Sequence, residues 1–211
     1  MSQNRTQIDG GANNVRQQQP GEVVLDQFKL IPLATIGAGT LLPGHILSGV
    51  LNRTGPTGAY SDTWPSASSI LAASPQLSVG DSFSVLVRNT VAFAMTSVAG
   101  SGIVLGANTD IAASFVRRYL LTVLGDGQDQ ILQITTTSAS PVLTGLTPAQ
   151  AVQLRVGQGI TGTGIPANSY IIGVNGTSGA VTLNANATAS ATVAGTFFAR
   201  IKLDGLYTAA L

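Results

Sequence analysis

Short apolar runs separated by turn residues dominate the chain from Glu22 onward. The clearest run is Ser82–Arg88, in which Phe83, Val85 and Val87 lie on one face and Ser82, Ser84 and Arg88 on the opposite one. This period of two places the apolar side chains on one face of a strand. Comparable runs, rich in Val, Ile, Thr and Phe, recur about every 8–12 residues, as in antiparallel β-sandwiches. The pattern predicts a mainly β protein: an antiparallel β-sandwich, jelly-roll or barrel-like domain.

Phe115–Leu124 and Gln130–Thr137 are the longest of these runs, and Gly125–Asp126–Gly127 lies between them. Turn residues between two β-prone runs predict a hairpin, so we expect these two strands to pair with each other. Further strands are expected at Tyr170–Val174, Ala180–Leu183 and Ala191–Phe198. The turn signals Asn175–Gly176 and Ser178–Gly179 favour a hairpin between the first two of them.

Two stretches carry helix start signals instead. A proline opens Trp64–Ala73, and proline suits the first turn of a helix because its missing N–H has no helical partner there. Thr63 or Asp62 is the expected N-cap. Thr147–Pro148 predicts a second, single-turn helix over Ala149–Leu154. The helices of this protein are therefore expected to be few and short.

Composition divides the chain into four segments. Residues 1–21 are rich in Asn and Gln and predict a flexible N-terminal arm. Residues 22–134 are expected to form the main β domain. From residue 135 to 196 the chain is rich in Gly, Thr and Ala and its only charged residue is Arg155, which predicts a second, small β-rich module. Residues 197–211 form a C-terminal strand and tail, whose return to the main domain the sequence leaves open.

Charge is scarce. Only 9% of the residues are charged, against about 25% in an ordinary soluble domain. A formal net charge of +1 gives little attraction to nucleic acid or to anionic membranes. The chain also lacks a basic cluster with interleaved aromatic residues, and no apolar run approaches the about 20 residues of a bilayer span. We therefore expect neither a nucleic-acid partner nor a membrane partner.

The residue set offers little for catalysis. The chain has no Cys, which excludes disulfides, zinc–thiolate sites and thiol nucleophiles. It has one His, which excludes histidine triads and multi-histidine metal sites. That residue, His45, follows Pro43–Gly44 and is expected at a turn or a strand edge. The carboxylates form no pair suited to acid and base roles, so we expect no enzymatic activity, no cofactor and no metal.

Two short motifs match binding loops only in their letters. Gly157–Gly162 reads G-x-G-x-x-G, but Pro166 blocks the helix that a phosphate-binding loop needs, and no acidic residue follows at the required distance. Asp126 and Asp129 lack the further oxygen ligands of a calcium loop. We interpret both motifs as turns.

Four arginines are the candidate partner contacts. Arg117 and Arg118 are adjacent in an apolar run, so they are expected on opposite faces of a strand. Either one is solvated and the other paired, or one contacts a neighbouring subunit, since arginine is enriched at interfaces. Arg5 and Arg16 are the only cationic residues of the arm and would anchor it to a partner.

Several loose motifs, covering about Leu30 to Val123, occur in an order that resembles the structural proteins of tailed-bacteriophage virions. They are Gly39–Leu41 leading to Gly49, Asp62–Ala67, Val79–Phe83, Arg88–Thr90, Gly100–Leu105 and Arg118–Leu120. The second unit is similar to a small β-module of virion surface and tail proteins. Its matching segments are Leu154–Gly157, Ile160–Pro166, Ile171–Ile172, Val181–Leu183 and Ala187–Ala189.

The resemblance implies a capsid decoration or cement protein: a β-rich homotrimer on the capsid surface of the virion, assembled in the host cytoplasm. Its implied partners are the major capsid protein and further copies of itself. One alternative is a tail, baseplate or fibre-associated protein that contacts a host receptor or glycans. Another is a β-sandwich enzyme such as a polysaccharide depolymerase, which would need paired carboxylates in a groove.

Overall fold

The computed structural model describes residues 15–19, 22–25 and 29–211, and its described part contains 17 strands and three short helices. The strands are β1 (Val15–Gln19), β2 (Glu22–Leu25), β3 (Lys29–Leu33), β4 (Gly39–Thr40), β5 (Gly49–Arg53), β6 (Tyr60–Thr63), β7 (Ser82–Asn89), β8 (Met95–Val98), β9 (Ile103–Leu105), β10 (Phe115–Gly125), β11 (Gln130–Thr136), β12 (Val142–Leu143), β13 (Gly159–Thr161), β14 (Ile171–Asn175), β15 (Ala180–Leu183), β16 (Ala191–Phe198) and β17 (Arg200–Ala210). The helices are α1 (Pro43–Leu47), α2 (Ala67–Ala73) and α3 (Pro148–Ala151). The predicted mainly β class with few short helices is confirmed, and the sheets are compatible with a β-sandwich-like fold.

A six-stranded sheet, the main sheet, has the strand order β3-β5-β7-β10-β17-β9. Its central strands β7, β10 and β17 are antiparallel neighbours. Towards the edges the pairing is parallel, between β3 and β5, β5 and β7, and β17 and β9. The main sheet is therefore mixed, whereas the sequence pattern predicted antiparallel pairing throughout.

One face of the main sheet is buried in a hydrophobic core. Val85 and Val87 of β7 are fully buried and Phe83 is half-buried, which confirms the predicted alternation. Trp64 packs edge-on against Tyr119 of β10, with 4.9 Å between the ring centres. Helices α1 and α2 and a parallel three-stranded sheet, β4-β6-β8, contribute further core residues. This core is the first of two in the described chain.

The second core lies between two three-stranded sheets, β11-β16-β13 and β12-β15-β14. Ile134, Ile160 and Phe197 are fully buried in it. Strands β14 and β15 form the predicted hairpin, and the Asn175 side chain accepts hydrogen bonds from two backbone N–H groups of its turn. Helix α3 begins as predicted, with Thr147 Oγ1 accepting the backbone N–H of Gln150 at 3.2 Å.

The second core belongs to an insertion in the main sheet. Strands β10 and β17 are antiparallel neighbours whose last pair is Gly125 and Arg200. We call residues 126–199 the inserted unit, and residues 29–125 with 200–211 the host unit. The predicted hairpin between Phe115–Leu124 and Gln130–Thr137 is wrong, because β10 pairs with β7 and β17 while β11 pairs with β16. Each strand buries its apolar residues in a different core.

Two local expectations are also wrong. His45 lies inside helix α1, because the preceding proline starts a helical turn that ends before β5 begins. Helix α2 is capped by Ser66, whose Oγ accepts the backbone N–H of Ser69 at 3.2 Å. The expected caps, Thr63 and Asp62, belong instead to strand β6. None of the helices described in this chain is long and apolar enough to cross a membrane.

Candidate interaction surface

The strand register of the main sheet aligns five side chains across its outer face. Leu30, Val50, Leu86, Arg118 and Tyr207 pair in succession from β3 to β17. We call them the Arg118 row. All five are exposed or half-buried, and the end members are 47% exposed at Leu30 and 62% exposed at Tyr207. The outer face therefore presents to solvent a mostly apolar row that contains one guanidinium.

Charged groups flank the Arg118 row. Arg88 pairs with Val116 on one side of it, and Asp204 pairs with Leu120 on the other. The Asp204 carboxylate lies 3.0 Å from the Lys202 ammonium, so its charge is already balanced. Within the described residues, neither Arg88 nor Arg118 contacts a carboxylate. The outer face thus carries an excess of positive charge beside its apolar row.

The adjacent arginines of β10 have different surroundings. Arg118 is exposed, and its Nη2 donates to Ser84 Oγ at 3.1 Å. Arg117 is half-buried and donates to the Asn108 carbonyl oxygen. Their roles as partner contacts stay predictions. Arg5 and the side chain of Arg16 lie outside the described residues, as does most of the arm predicted over residues 1–21. The backbone of Arg16 belongs to β1, which pairs with β2.

A buried ion pair lies on the core side of the host unit. Arg53 Nε is 2.8 Å from Asp62 Oδ2, Nη2 donates to Oδ1 at 3.0 Å, and both side chains are fully buried. The guanidinium also donates to the carbonyl oxygens of Leu33 and Thr35, each at 3.1 Å, and of Gly37 at 2.7 Å. A single side chain thus joins β5 and β6 and fixes the segment that follows β3.

Tyr60 and Asn89 extend this network. The Arg53 guanidinium lies 4.7 Å from the centre of the Tyr60 ring, close enough for a cation–π interaction. The Tyr60 hydroxyl donates to Asn89 Oδ1 at 2.8 Å, and Asn89 Nδ2 donates to the carbonyl oxygens of Phe93 and Ala112. These hydrogen bonds hold the loops after β7 and before β10, and so the network has a structural role.

Sequence reasoning missed the network, although a signal was present. Arg53 is two residues from the buried Leu51, and Asp62 is two residues from Tyr60. The period of two therefore places both charges on core-facing positions, where a charge needs a partner. Burial raises the pKa of the Asp62 carboxyl, and the Arg53 guanidinium opposes that rise.

The same burial predicts a loss of stability in alkali. Burial and the nearby Asp62 raise the pKa of Tyr60 from 10.0 to about 12. Because the folded state keeps this proton longer than the unfolded state, Tyr60 leaves the stability unchanged below pH 10 and lowers it as the pH rises towards 12. The loss attributable to Tyr60 is about 2 to 3 kcal/mol. Urea unfolding at successive pH values measures it, and Tyr60→Phe should flatten the pH dependence; an equally steep decline in that variant would contradict the prediction.

A polar cleft of about 630 Å³ lies where the inserted unit begins. Its lining residues are Asp126, Gly127, Gln128, Asp129, Gln130, Gln153 and Arg155. Asp129 Oδ1 accepts the Ala199 N–H at 3.2 Å. The buried Gln158 supports the cleft, since it donates to the Gln128 carbonyl oxygen at 2.9 Å and accepts the Arg155 N–H at 2.7 Å. The exposed carboxylates, amides and guanidinium could hydrogen-bond a hydroxyl-rich ligand.

The other candidates have local structural roles. His45 Nδ1 accepts the Leu42 N–H at 3.1 Å, and partial burial lowers the pKa of the imidazole. Gly157, with φ of +92°, lies in a turn, as predicted, and no helix follows it. The rest of the motif is not a turn, because Gly159–Thr161 form strand β13. The described part of the chain holds no group of three His, Cys, Asp or Glu residues arranged to bind a metal.

Known proteins provide no match to this chain. No protein-family model, no curated protein and no solved structure is similar to it. The observations that bear on its function are therefore the outer face of the main sheet, the polar cleft and the motifs of the sequence.

Proposed function

We propose that this chain is a non-enzymatic structural protein of a tailed-bacteriophage virion, a capsid decoration or cement protein that binds the assembled head shell. The observation that carries the proposal is the outer face of the main sheet, with its apolar Arg118 row and the flanking Arg88. Apolar contact area combined with arginine is typical of protein interfaces. The excess positive charge leads us to expect that the contacted surface of the major capsid protein is acidic. The resemblance of the sequence motifs supports this choice of partner.

Stabilising a shell requires binding and no chemistry. A protein that binds only the assembled shell stabilises that state by mass action. Homotrimers suit this role, because closed rotational symmetry lets identical subunits bury the same surface around one axis. Size-exclusion chromatography with light scattering tests self-association. A trimer is the expected result, and a monomer at high protein concentration would contradict this part of the proposal.

Cryo-electron microscopy of the intact virion tests the location. The proposal requires density for this chain at symmetry-related positions on the outside of the head shell. Density confined to the tail would contradict it. Reconstitution gives a second route, in which the purified chain is added to shells that lack it and the bound amount is measured after sedimentation.

Reversing one charge on the outer face should weaken binding. Arg118→Glu places a carboxylate in the Arg118 row and should lower the affinity for shells at least about tenfold. Folding should be retained, because Arg118 is exposed and, among the described residues, its side chain hydrogen-bonds to Ser84 alone. Arg155→Glu is the matched control, since Arg155 is an exposed arginine of the inserted unit. Equal affinity of the Arg118 variant and the natural chain would exclude the outer face as the shell contact.

The polar cleft favours a second candidate function, that of a tail, baseplate or fibre-associated protein that contacts host glycans. Its carboxylates, amides and guanidinium supply the donors and acceptors that sugar hydroxyls require. Under this alternative the effect of the two variants is reversed: Arg155→Glu lowers binding to host cells and Arg118→Glu does not.

A further inference from the structure

The inserted unit interrupts two strands that would otherwise form a simple hairpin. Residues of β10 and β17 remain paired up to Val123 with Ile201 and Gly125 with Arg200. The chain therefore leaves and re-enters the main sheet at adjacent positions. An insertion with adjacent ends can be accommodated without rearranging the strands that carry it.

Each unit has its own core. The buried residues of the host unit form one cluster, which also includes Ala199 at the end of the inserted unit. Buried residues of the inserted unit such as Ile134 and Phe197 form a second cluster. Within the described residues no sheet contains strands from both units. A unit with its own sheets and core has the elements of an independently stable fold.

The joint between the units is small and consists largely of glycine backbone. A side chain at Gly125 would collide with the backbone of Gly157, and one at Gly102 would collide with the Ala199 carbonyl oxygen. Arg200 also makes contacts across the joint: its Nη1 donates to the Gly157 carbonyl oxygen at 3.4 Å, and its guanidinium lies over the Tyr170 ring. Among the described residues, the inserted unit contributes Ala199 alone to the host core cluster, so the joint adds little apolar contact.

The surface that we assign to shell binding lies away from this joint. Arg118 is seven residues before Gly125 on the same strand, which is about 23 Å of extended chain. The groups best suited to a specific protein contact, Arg88, Arg118 and Tyr207, all belong to the host unit. The inserted unit contributes Arg155 as its only charged residue between Asp129 and Arg200.

We propose that the inserted unit is an independently folding domain, which we call the guest, and that the host unit alone binds the head shell. The second half of this inference rests on the proposed function. The first half does not, because it depends only on the topology and on the two cores. The guest is then a displayed unit whose removal leaves both the main sheet and its outer face in place.

The test is an excised variant in which residues 126–199 are replaced by Asn-Gly. Gly125 and Arg200 are already paired, and Asn-Gly is the preferred two-residue link in such a hairpin. Trp64 is the only tryptophan and lies in the host core, so its fluorescence follows the unfolding of the host unit. We expect a cooperative transition within about 5 °C of that of the full chain, and shell affinity within about twofold.

A folded excised variant that does not bind shells would overturn the assignment of binding to the host unit. If the excised variant does not fold, Ile160→Ala in the full chain decides the question. It should lower the melting temperature of the inserted unit by about 10 °C or more, while the Trp64 transition and shell binding stay unchanged. If Ile160→Ala also lowers the melting temperature reported by Trp64 fluorescence, the guest assignment is wrong. If the natural full chain does not bind shells, the proposed function is contradicted instead. The unfolding transitions of the host unit and of the inserted unit would still decide whether the inserted unit is a guest.

Discussion

Replacing Arg53 by alanine should cost about 3 to 5 kcal/mol of unfolding free energy, because removal of one partner leaves an uncompensated buried charge. The Asp62 carboxylate would lose its two contacts with the guanidinium, and the carbonyl oxygens of Thr35 and Gly37, in the segment after β3, would lose the Arg53 donors. Urea unfolding followed by Trp64 fluorescence measures the change. Arg88→Ala is the matched control, since Arg88 lies half-buried on the outer face of the next strand and should cost about 0.5 kcal/mol or less.

A double substitution separates the charge from the packing. Arg53→Met combined with Asp62→Leu removes both charges and keeps most of the side-chain volume. Such replacements of buried ion pairs are often neutral or stabilising, so the double variant should be more stable than Arg53→Ala. If Arg53→Ala itself costs less than about 1 kcal/mol, the ion pair does not hold the segment after β3 in the way described.

Replacing Trp64 by alanine should be similarly costly. The indole is 1% exposed and packs edge-on against Tyr119 in the host core, and truncation of a buried tryptophan costs about 3 to 5 kcal/mol. Calorimetry measures the effect, and the transition of the host unit should move to lower temperature. Trp64→Phe is the control. It should cost less, because it retains an aromatic ring and removes an indole N–H that has no partner among the described residues.

The location of the effect is as informative as its size. Phe197→Ala truncates a buried ring of the second core and should lower the transition of the inserted unit instead. Two substitutions that each shift one transition support two separate cores. A single transition that shifts with either substitution would show that the two cores unfold together.

Local sequence signals predicted those elements whose partners are near in the chain. The alternation of Ser82–Arg88, the hairpin turn after Asn175 and the capped start of α3 each depend on a few consecutive residues, and the structure confirms them. The mainly β class follows from the same repeated signals.

Pairing between distant strands could not be predicted in this way. The turn-like segment Gly125–Gly127 suggested a hairpin, but β10 pairs with β7 and with β17, which begins 75 residues after β10 ends. The parallel pairs β3-β5 and β5-β7 likewise depend on burial against the core and not on a local turn. The buried Arg53 was missed for a related reason, since its partner Asp62 lies on a strand of another sheet.

The insertion also determines the order in which the protein can form its structure during synthesis. All strands of the inserted unit emerge from the ribosome before β17, so the second core can close while the main sheet still lacks its fifth strand. Once folded, the inserted unit holds Gly125 and Arg200 as neighbours. The inserted unit has then already brought the two ends of this long loop together, so its closure entropy is lost before β10 and β17 pair. Strand β17 can therefore pair with β10 residue by residue, starting from Gly125 and Arg200, and so complete the main sheet.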